Sequence, residues 1–113
     1  MSGVTSHVLD TSEGQPAVGV MVTLSAKFGE VWTDMTTRVT DADGRTGNLW
    51  PKGEAVSAGT YRLRFGTADY HASQGQAGFY PYVDVVFAIW EGSDHYHVPL
   101  LLSPFGYSTY RGS

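Results

Sequence analysis

From residue 20 to 28 the chain alternates without a break: Val20, Val22, Leu24, Ala26 and Phe28 occupy one side of a two-residue period, and Met21, Thr23, Ser25 and Lys27 the other. A helix repeats every 3.6 residues and would scatter these apolar positions around its circumference, so the pattern fits a strand with one face in a core. Gly29-Glu30 then turns the chain into residues 31–39, whose odd positions are mostly apolar or β-branched while Asp34 and Arg38 take the other face, and a hairpin is predicted.

The same period recurs downstream. Tyr61, Leu63 and Phe65 alternate with Arg62 and Arg64, and Val83, Val85, Phe87 and Ile89 alternate with Asp84, Val86 and Ala88. Near the end, Tyr96, Val98, Leu100 and Leu102 point one way and His95, His97, Pro99 and Leu101 the other. Pro99 cannot donate a ladder hydrogen bond, which predicts an edge or a bulge there. Ser103-Pro104-Phe105-Gly106 turns into a last short strand over 107–110. Between strands, Asp41-Ala42-Asp43-Gly44 is a turn signature, with aspartates to cap N–H groups and a glycine for positive φ. Residues 68–74 suit a short helix with Thr67 as N-cap and Gly75 as its stop. About seven or eight short strands punctuated by glycine and proline predict a mainly β, antiparallel sandwich.

A chain of 113 residues makes one domain, spanning 1–113, with a single core. Hydrophobic residues at 42% against charged residues at 16% exclude a disordered chain. A net charge of −4, with seven scattered basic residues, excludes a phosphate-backbone partner, so no nucleic acid is expected. With no cysteine, neither a disulfide framework nor a thiolate nucleophile is available. The N-terminal residues lack a basic and apolar leader, and no apolar run has the length of a membrane span; a cytoplasmic protein without a membrane partner is expected. Leu101 and Pro99, with Trp90, Val86 and Tyr82, put apolar groups on outer faces, which an oligomer interface would explain.

Few groups suit catalysis. His7 lies in the first strand opposite Val8, and His95 and His97 share a face of a later one. A lone strand histidine is more often solvated than catalytic. A zinc site from His7, His95 and His97 would use all three, yet no HExxH-like motif fixes their spacing, and no GxSxG elbow supports a serine nucleophile. Arg45 leaves a tight turn carrying a permanent planar charge suited to an anionic heterocycle, or else is a surface charge on a hairpin. At the end, Ser113 pairs a hydroxyl with an α-carboxylate, and Tyr110 offers a ring and a phenol; a packed terminal strand at a subunit contact is the plainer account.

Ser6-His7-Val8-Leu9-Asp10, Asp43-Gly44-Arg45, the run from His95 to Pro104 and the closing Tyr110-Arg111-Gly112-Ser113 together resemble the transthyretin-related 5-hydroxyisourate hydrolases of urate breakdown, over essentially the whole chain. The resemblance implies a transthyretin-like β-sandwich of two four-stranded antiparallel sheets with one short helix. It also implies a homotetramer with sites at the dimer–dimer interface, a small-molecule substrate, and no cofactor or metal. Carried over by position, His7, Arg45, His97 and Ser113 are the implied catalytic residues, and His7, Arg45 and Tyr110 the implied substrate-binding ones. His97 rather than His95 is matched because it directly precedes Val98-Pro99-Leu100. Where relatives often carry Phe-Phe-Pro-Glu, this chain reads Phe79-Tyr80-Pro81-Tyr82, and loss of the carboxylate is expected to affect packing or an interface.

The reaction so implied opens the six-membered ring of 5-hydroxyisourate, giving 2-oxo-4-hydroxy-4-carboxy-5-ureidoimidazoline, by histidine- and arginine-assisted attack of water on a ring carbonyl. The alternative is a transthyretin-type binding module that carries a small ligand without chemistry. A bulky aromatic at position 110 argues against it, since it would narrow a channel mouth.

Overall fold

Alternation becomes strand wherever the sequence carries it. A computed structural model of the protein describes residues 3–92 and 94–113. Along them run β1 (Gly3–Thr5), β2 (Val8–Asp10), β3 (Gln15–Pro16), β4 (Met21–Phe28), β5 (Val31–Val39), β6 (Gly59–Phe65), α1 (Thr67–Ser73), β7 (Val83–Ile89), β8 (His95–His97), β9 (Leu100–Ser103) and β10 (Gly106–Thr109). Two four-stranded sheets form, ordered β5-β4-β6-β7 and β10-β9-β2-β3, with a separate two-stranded pair of β1 and β8. No helix among the described residues is long and apolar enough to cross a membrane.

The inward sides are those the period selected, except at the end of β4, where Phe28 was expected in the core and is exposed as the strand runs into its turn. Val22, Leu24, Leu63, Phe65 and Val83 of the first sheet and Val8, Leu100 and Leu102 of the second are almost wholly buried in one cluster. Burying each such side chain is worth about 1.5–3 kcal/mol, and with no disulfide in the chain this packing carries the fold.

Four further expectations need correction. The first sheet is antiparallel throughout, but β2 pairs with β9 in parallel, as β1 does with β8. Hairpins enforce antiparallel pairing, whereas these partners come from opposite ends of the chain and no tight turn constrains their direction. In β5 a bulge against Leu24 and Ser25 shifts the register, so the odd positions do not all face inward: Met35 packs on the core while Val31 and Val39 are exposed. Thr67 lies within α1 and is no N-cap; Gly66 precedes the helix, its N–H bonded to the Met21 carbonyl, and Thr67 is buried with its hydroxyl toward the Tyr80 carbonyl. Pro99 is buried, because the C-terminal residues close over it. Val86, Trp90 and Tyr82 are exposed as expected. The Tyr82 ring lies beneath the Arg64 guanidinium, 4.0 Å away, and Arg64 is in turn paired with Asp84.

The helix is tied to the second sheet by one buried carboxylate. Asp10 Oδ2 accepts the Tyr70 hydroxyl at 2.6 Å, and its Oδ1 accepts the Ser12 hydroxyl and the Ser12 and Glu13 N–H groups. Burial alone would raise this carboxyl's pKa, but the hydrogen bonds from Tyr70, Ser12 and Glu13 outweigh it and hold the pKa below the ordinary range.

Candidate active site

Both long terminal segments break at the same level, after Thr5 and after His97. Parallel pairing is carried across the break by Val98 N–H to the Thr5 carbonyl and Leu100 N–H to the His7 carbonyl, each 2.9 Å, while the buried Ser6 hydroxyl donates to the Val98 carbonyl. This jog sets His7 beside His97. His7 Nδ1 and His97 Nε2 are 2.8 Å apart, with ring centroids 4.9 Å apart. The other His97 nitrogen, Nδ1, meets Thr5 Oγ1 at 2.8 Å. Both nitrogens of His97 are thus occupied within the chain.

Desolvation pushes the pKa of both imidazoles below the usual histidine value, and the positive charge of Arg45 adds to it at each. His7 and His95 also disfavour a charge on His97, while a backbone hydrogen bond to Thr5 works the other way. The neutral pair is therefore the favoured state near pH 7.

Arg45 arrives through the Asp41–Gly44 turn. Asp41 Oδ1 accepts the N–H groups of Asp43 and Arg45, and the Gly44 N–H returns to the Asp41 carbonyl. Gly44 has φ +74° and donates no side chain to a crowded place: a Cβ there would lie 2.6 Å from the Val8 carbonyl oxygen. Only glycine meets both demands. The Gly44 carbonyl accepts Val8 N–H, and Arg45 bridges to His7, which places an exposed guanidinium-bearing residue beside the imidazole pair.

The last residues return to the same place. Thr109 Oγ1 donates to the Pro99 carbonyl, and Gly112 N–H donates to the His97 carbonyl at 2.7 Å. Gly112 is pressed against the imidazole, since a Cβ on it would stand 2.8 Å from His97 Cδ2. Ser113 follows directly and is exposed.

Of the residues singled out from sequence, His7, His97 and Arg45 come together, and Ser113 lies one residue beyond the Gly112 contact. Tyr110 is half exposed and lines a hollow of about 320 Å³ with Val86, Trp90, Tyr96, Val98 and Arg111. The hydroxyl bonded to His97 is that of Thr5. Among the described residues the buried His95 Nδ1 has no hydrogen-bond partner, and no three His, Cys, Asp or Glu side chains are grouped to hold an ion. Thr5 and Gly112 were missed as site residues. The signal for Thr5 was its place two residues before His7, on the same strand face.

Comparisons with known proteins agree with this geometry. The 5-hydroxyisourate hydrolase of Salmonella dublin is 49% identical over 107 residues, covering 95% of this chain and 78% of that protein. The structure of Klebsiella pneumoniae 5-hydroxyisourate hydrolase superposes with a TM-score of 0.85 at 39% identity, over 100% of both chains. Sea bream transthyretin in complex with thyroxine superposes with a TM-score of 0.89, also at 39% identity, over 96% of this chain and 93% of that one. The family model described as HIUase/Transthyretin matches residues 4–112. With the fold, the histidine pair and a full-length match in agreement, the chain belongs to the HIUase/Transthyretin family.

Proposed function

We propose that the chain hydrolyses 5-hydroxyisourate, the substrate in the names of its Salmonella and Klebsiella relatives, at a site built from His7, His97, Arg45, Tyr110 and Ser113. The observation that carries this reading is the 2.8 Å contact between His7 Nδ1 and His97 Nε2 beside Arg45. A ligand carrier has no need of two desolvated imidazoles in series.

The order of hydrogen bonds suggests the proton's path. With His97 Nδ1–H donating toward Thr5, His97 Nε2 must accept, so His7 Nδ1–H donates to it and His7 Nε2 carries the free lone pair. His7 Nε2 takes a proton from water as the oxygen attacks the ring carbonyl carbon. Charge that develops on His7 is shared with His97 across the short bond, and the oxyanion forms within reach of the Arg45 guanidinium. Collapse breaks the ring C–N bond, and the departing nitrogen recovers the proton. Tyr110 closes over the flat substrate, and the Ser113 hydroxyl orients the water or the substrate.

A homotetramer with sites between dimers and a cytoplasmic setting belong to the same reading. Assembly is supported by the exposed Val86, Trp90 and Tyr110 side chains, which a single chain leaves uncovered beside the 320 Å³ hollow. The test is to generate 5-hydroxyisourate with urate oxidase, add the protein, and follow the loss of its ultraviolet absorbance. Decay faster than the spontaneous rate and proportional to protein is expected; decay at the spontaneous rate would overturn the proposal. The thyroxine bound by sea bream transthyretin gives the carrier reading its footing. Saturable thyroxine binding without acceleration of the hydrolysis would favour that reading.

A further inference from the structure

Arg111 is the one residue of 110–113 whose side chain makes a ring, hydrogen-bond or ionic contact among the described residues. Its guanidinium carbon lies 4.4 Å from the centre of the Tyr96 ring and 5.5 Å from that of Trp90, both within cation–π range. The Trp90 backbone N–H donates to Tyr96 Oη at 2.7 Å, which fixes the Tyr96 ring against the chain at residue 90. No carboxylate accounts for the position of Arg111: among the described residues the one side-chain ion pair is Arg64 with Asp84. Nor does core packing account for Trp90, which is 62% exposed.

Arg111 and Gly112 straddle β8. One reaches the ring of Tyr96, and the other lies on the backbone and ring of His97. Strand β10 ends at Thr109, and beyond it the backbone meets the strand carrying His97 in an isolated antiparallel bridge at Gly112, whose N–H donates to the His97 carbonyl. An isolated bridge of this kind is a weak tether, worth about as much as the freedom lost in ordering the residues that make it. A planar cation stacked on both rings adds a fixed angle as well as a contact.

We propose that Arg111 is a positioning residue for His97: stacked on Tyr96 and Trp90, it holds residues 110–113 so that the Gly112 backbone confines the His97 imidazole in hydrogen-bonding contact with His7. The inference rests on the hydrolase reading for its kinetic consequence but not for its structural one. With Arg111 released, the terminal segment lifts, the imidazole gains rotational freedom, and the His7–His97 bond is made only part of the time.

The test uses Arg111→Ala, Arg111→Lys, Trp90→Ala and Trp90→Phe in the full chain. Turnover of enzymatically generated 5-hydroxyisourate is measured with imidazole ¹⁵N spectra, thermal melting and sedimentation. Arg111→Ala is expected to lower kcat by about 10- to 100-fold, as misplacement of a catalytic group by up to 1 Å does, with KM changed less. The ¹⁵N signals of His7 and His97 should lose their mutual coupling while melting and assembly state hold. Trp90→Ala should act in the same direction and add little to Arg111→Ala. Arg111→Lys and Trp90→Phe, which keep a cation and a ring, should recover part of the rate and keep the protein folded should the alanine variants not be. Wild-type kcat with unchanged imidazole signals in Arg111→Ala would overturn the proposal. A fall in kcat with those signals unchanged would also overturn it, pointing to direct contact of Arg111 with substrate. If the wild type does not accelerate hydrolysis at all, the hydrolase reading fails while the ¹⁵N comparison still decides the clamp.

Discussion

Gly112→Ala isolates what the histidine pair contributes. The position has no positive φ, so alanine strains no backbone torsion, and the added Cβ meets His97 Cδ2 at 2.8 Å before anything else. Carbon atoms settle at about 3.5 Å or more, so something must move by about 0.7 Å. The segment carrying residue 112 is held by its bond to the His97 carbonyl and by the Arg111 stack, whereas the imidazole turns about two side-chain torsions. The ring yields, and Nε2, bonded to Cδ2, goes with it. A contact of 2.8 Å to His7 then opens toward 3.5 Å, where an N–H···N bond is lost. Fixing a glycine to alanine stabilises by about 0.4–1 kcal/mol through the unfolded chain, while the lost hydrogen bond costs about 0.5–1.5 kcal/mol. These nearly cancel, so melting should move by no more than a few degrees. A catalytic group displaced by most of an ångström loses about 10- to 100-fold in rate, and that loss should fall on kcat in the 5-hydroxyisourate assay, with matching changes in the His7 and His97 ¹⁵N signals. Wild-type turnover with the imidazole coupling intact would refute the reasoning.

Other consequences can be checked independently. His7→Ala and His97→Ala should each lower kcat by about two to four powers of ten with assembly preserved, measured by the same assay and by sedimentation; near-wild-type rates in both would remove the proposed base. Thr5→Val deletes the partner of His97 Nδ1 and should lower kcat by about tenfold while altering the tautomer balance seen by ¹⁵N spectroscopy, with Thr5→Ser retaining most of the rate. Because both folded-state histidine pKa values lie below the ordinary one near 6.5, the unfolded chain binds more protons as pH falls from 7, so stability should drop through that window and level off below the folded values, as chemical denaturation at stepped pH would show. His7→Gln with His97→Gln should flatten that slope. Tyr70→Phe leaves Asp10 Oδ2 buried without its donor and should cost about 1–3 kcal/mol on urea unfolding with kcat unchanged in the folded protein.

Much of the sandwich was legible because burial of one face imposes a two-residue period that survives in β4, β6 and β7. The turn at Asp41–Gly44 was legible for a different reason: its side chains and its glycine make their bonds within five residues. The bulge in β5 was not, since it is a property of a pair of strands and neither sequence announces it. Nor was the parallel partnership of β1 with β8 and β2 with β9, because registers such as Gly3 with His95 join residues that no local pattern relates. His7 and His97 were therefore individually visible as histidines on strands and were joined as site residues by the family resemblance, but that they touch is seen only in the structure. Thr5 and Arg111 escaped for the same cause, each acting through a partner distant in sequence or, for Arg111, through a tryptophan that the period alone assigned to an outer face.

The parallel pairing also has a bearing on how the protein is made. His7 and His97 are 90 residues apart, and β2 finds its β9 neighbour only when nearly the whole chain exists. At a synthesis rate of about 5–20 residues per second, the first strands wait on the order of 5–20 s with Val4 and Val8 uncovered and their pairing edge open. Meanwhile β4, β5 and β6 can zip together through near neighbours. Ribosome-bound fragments ending before residue 95 should thus hold the first sheet and no histidine pair, and the nascent protein should be most prone to aggregate in the interval before its last twenty residues emerge.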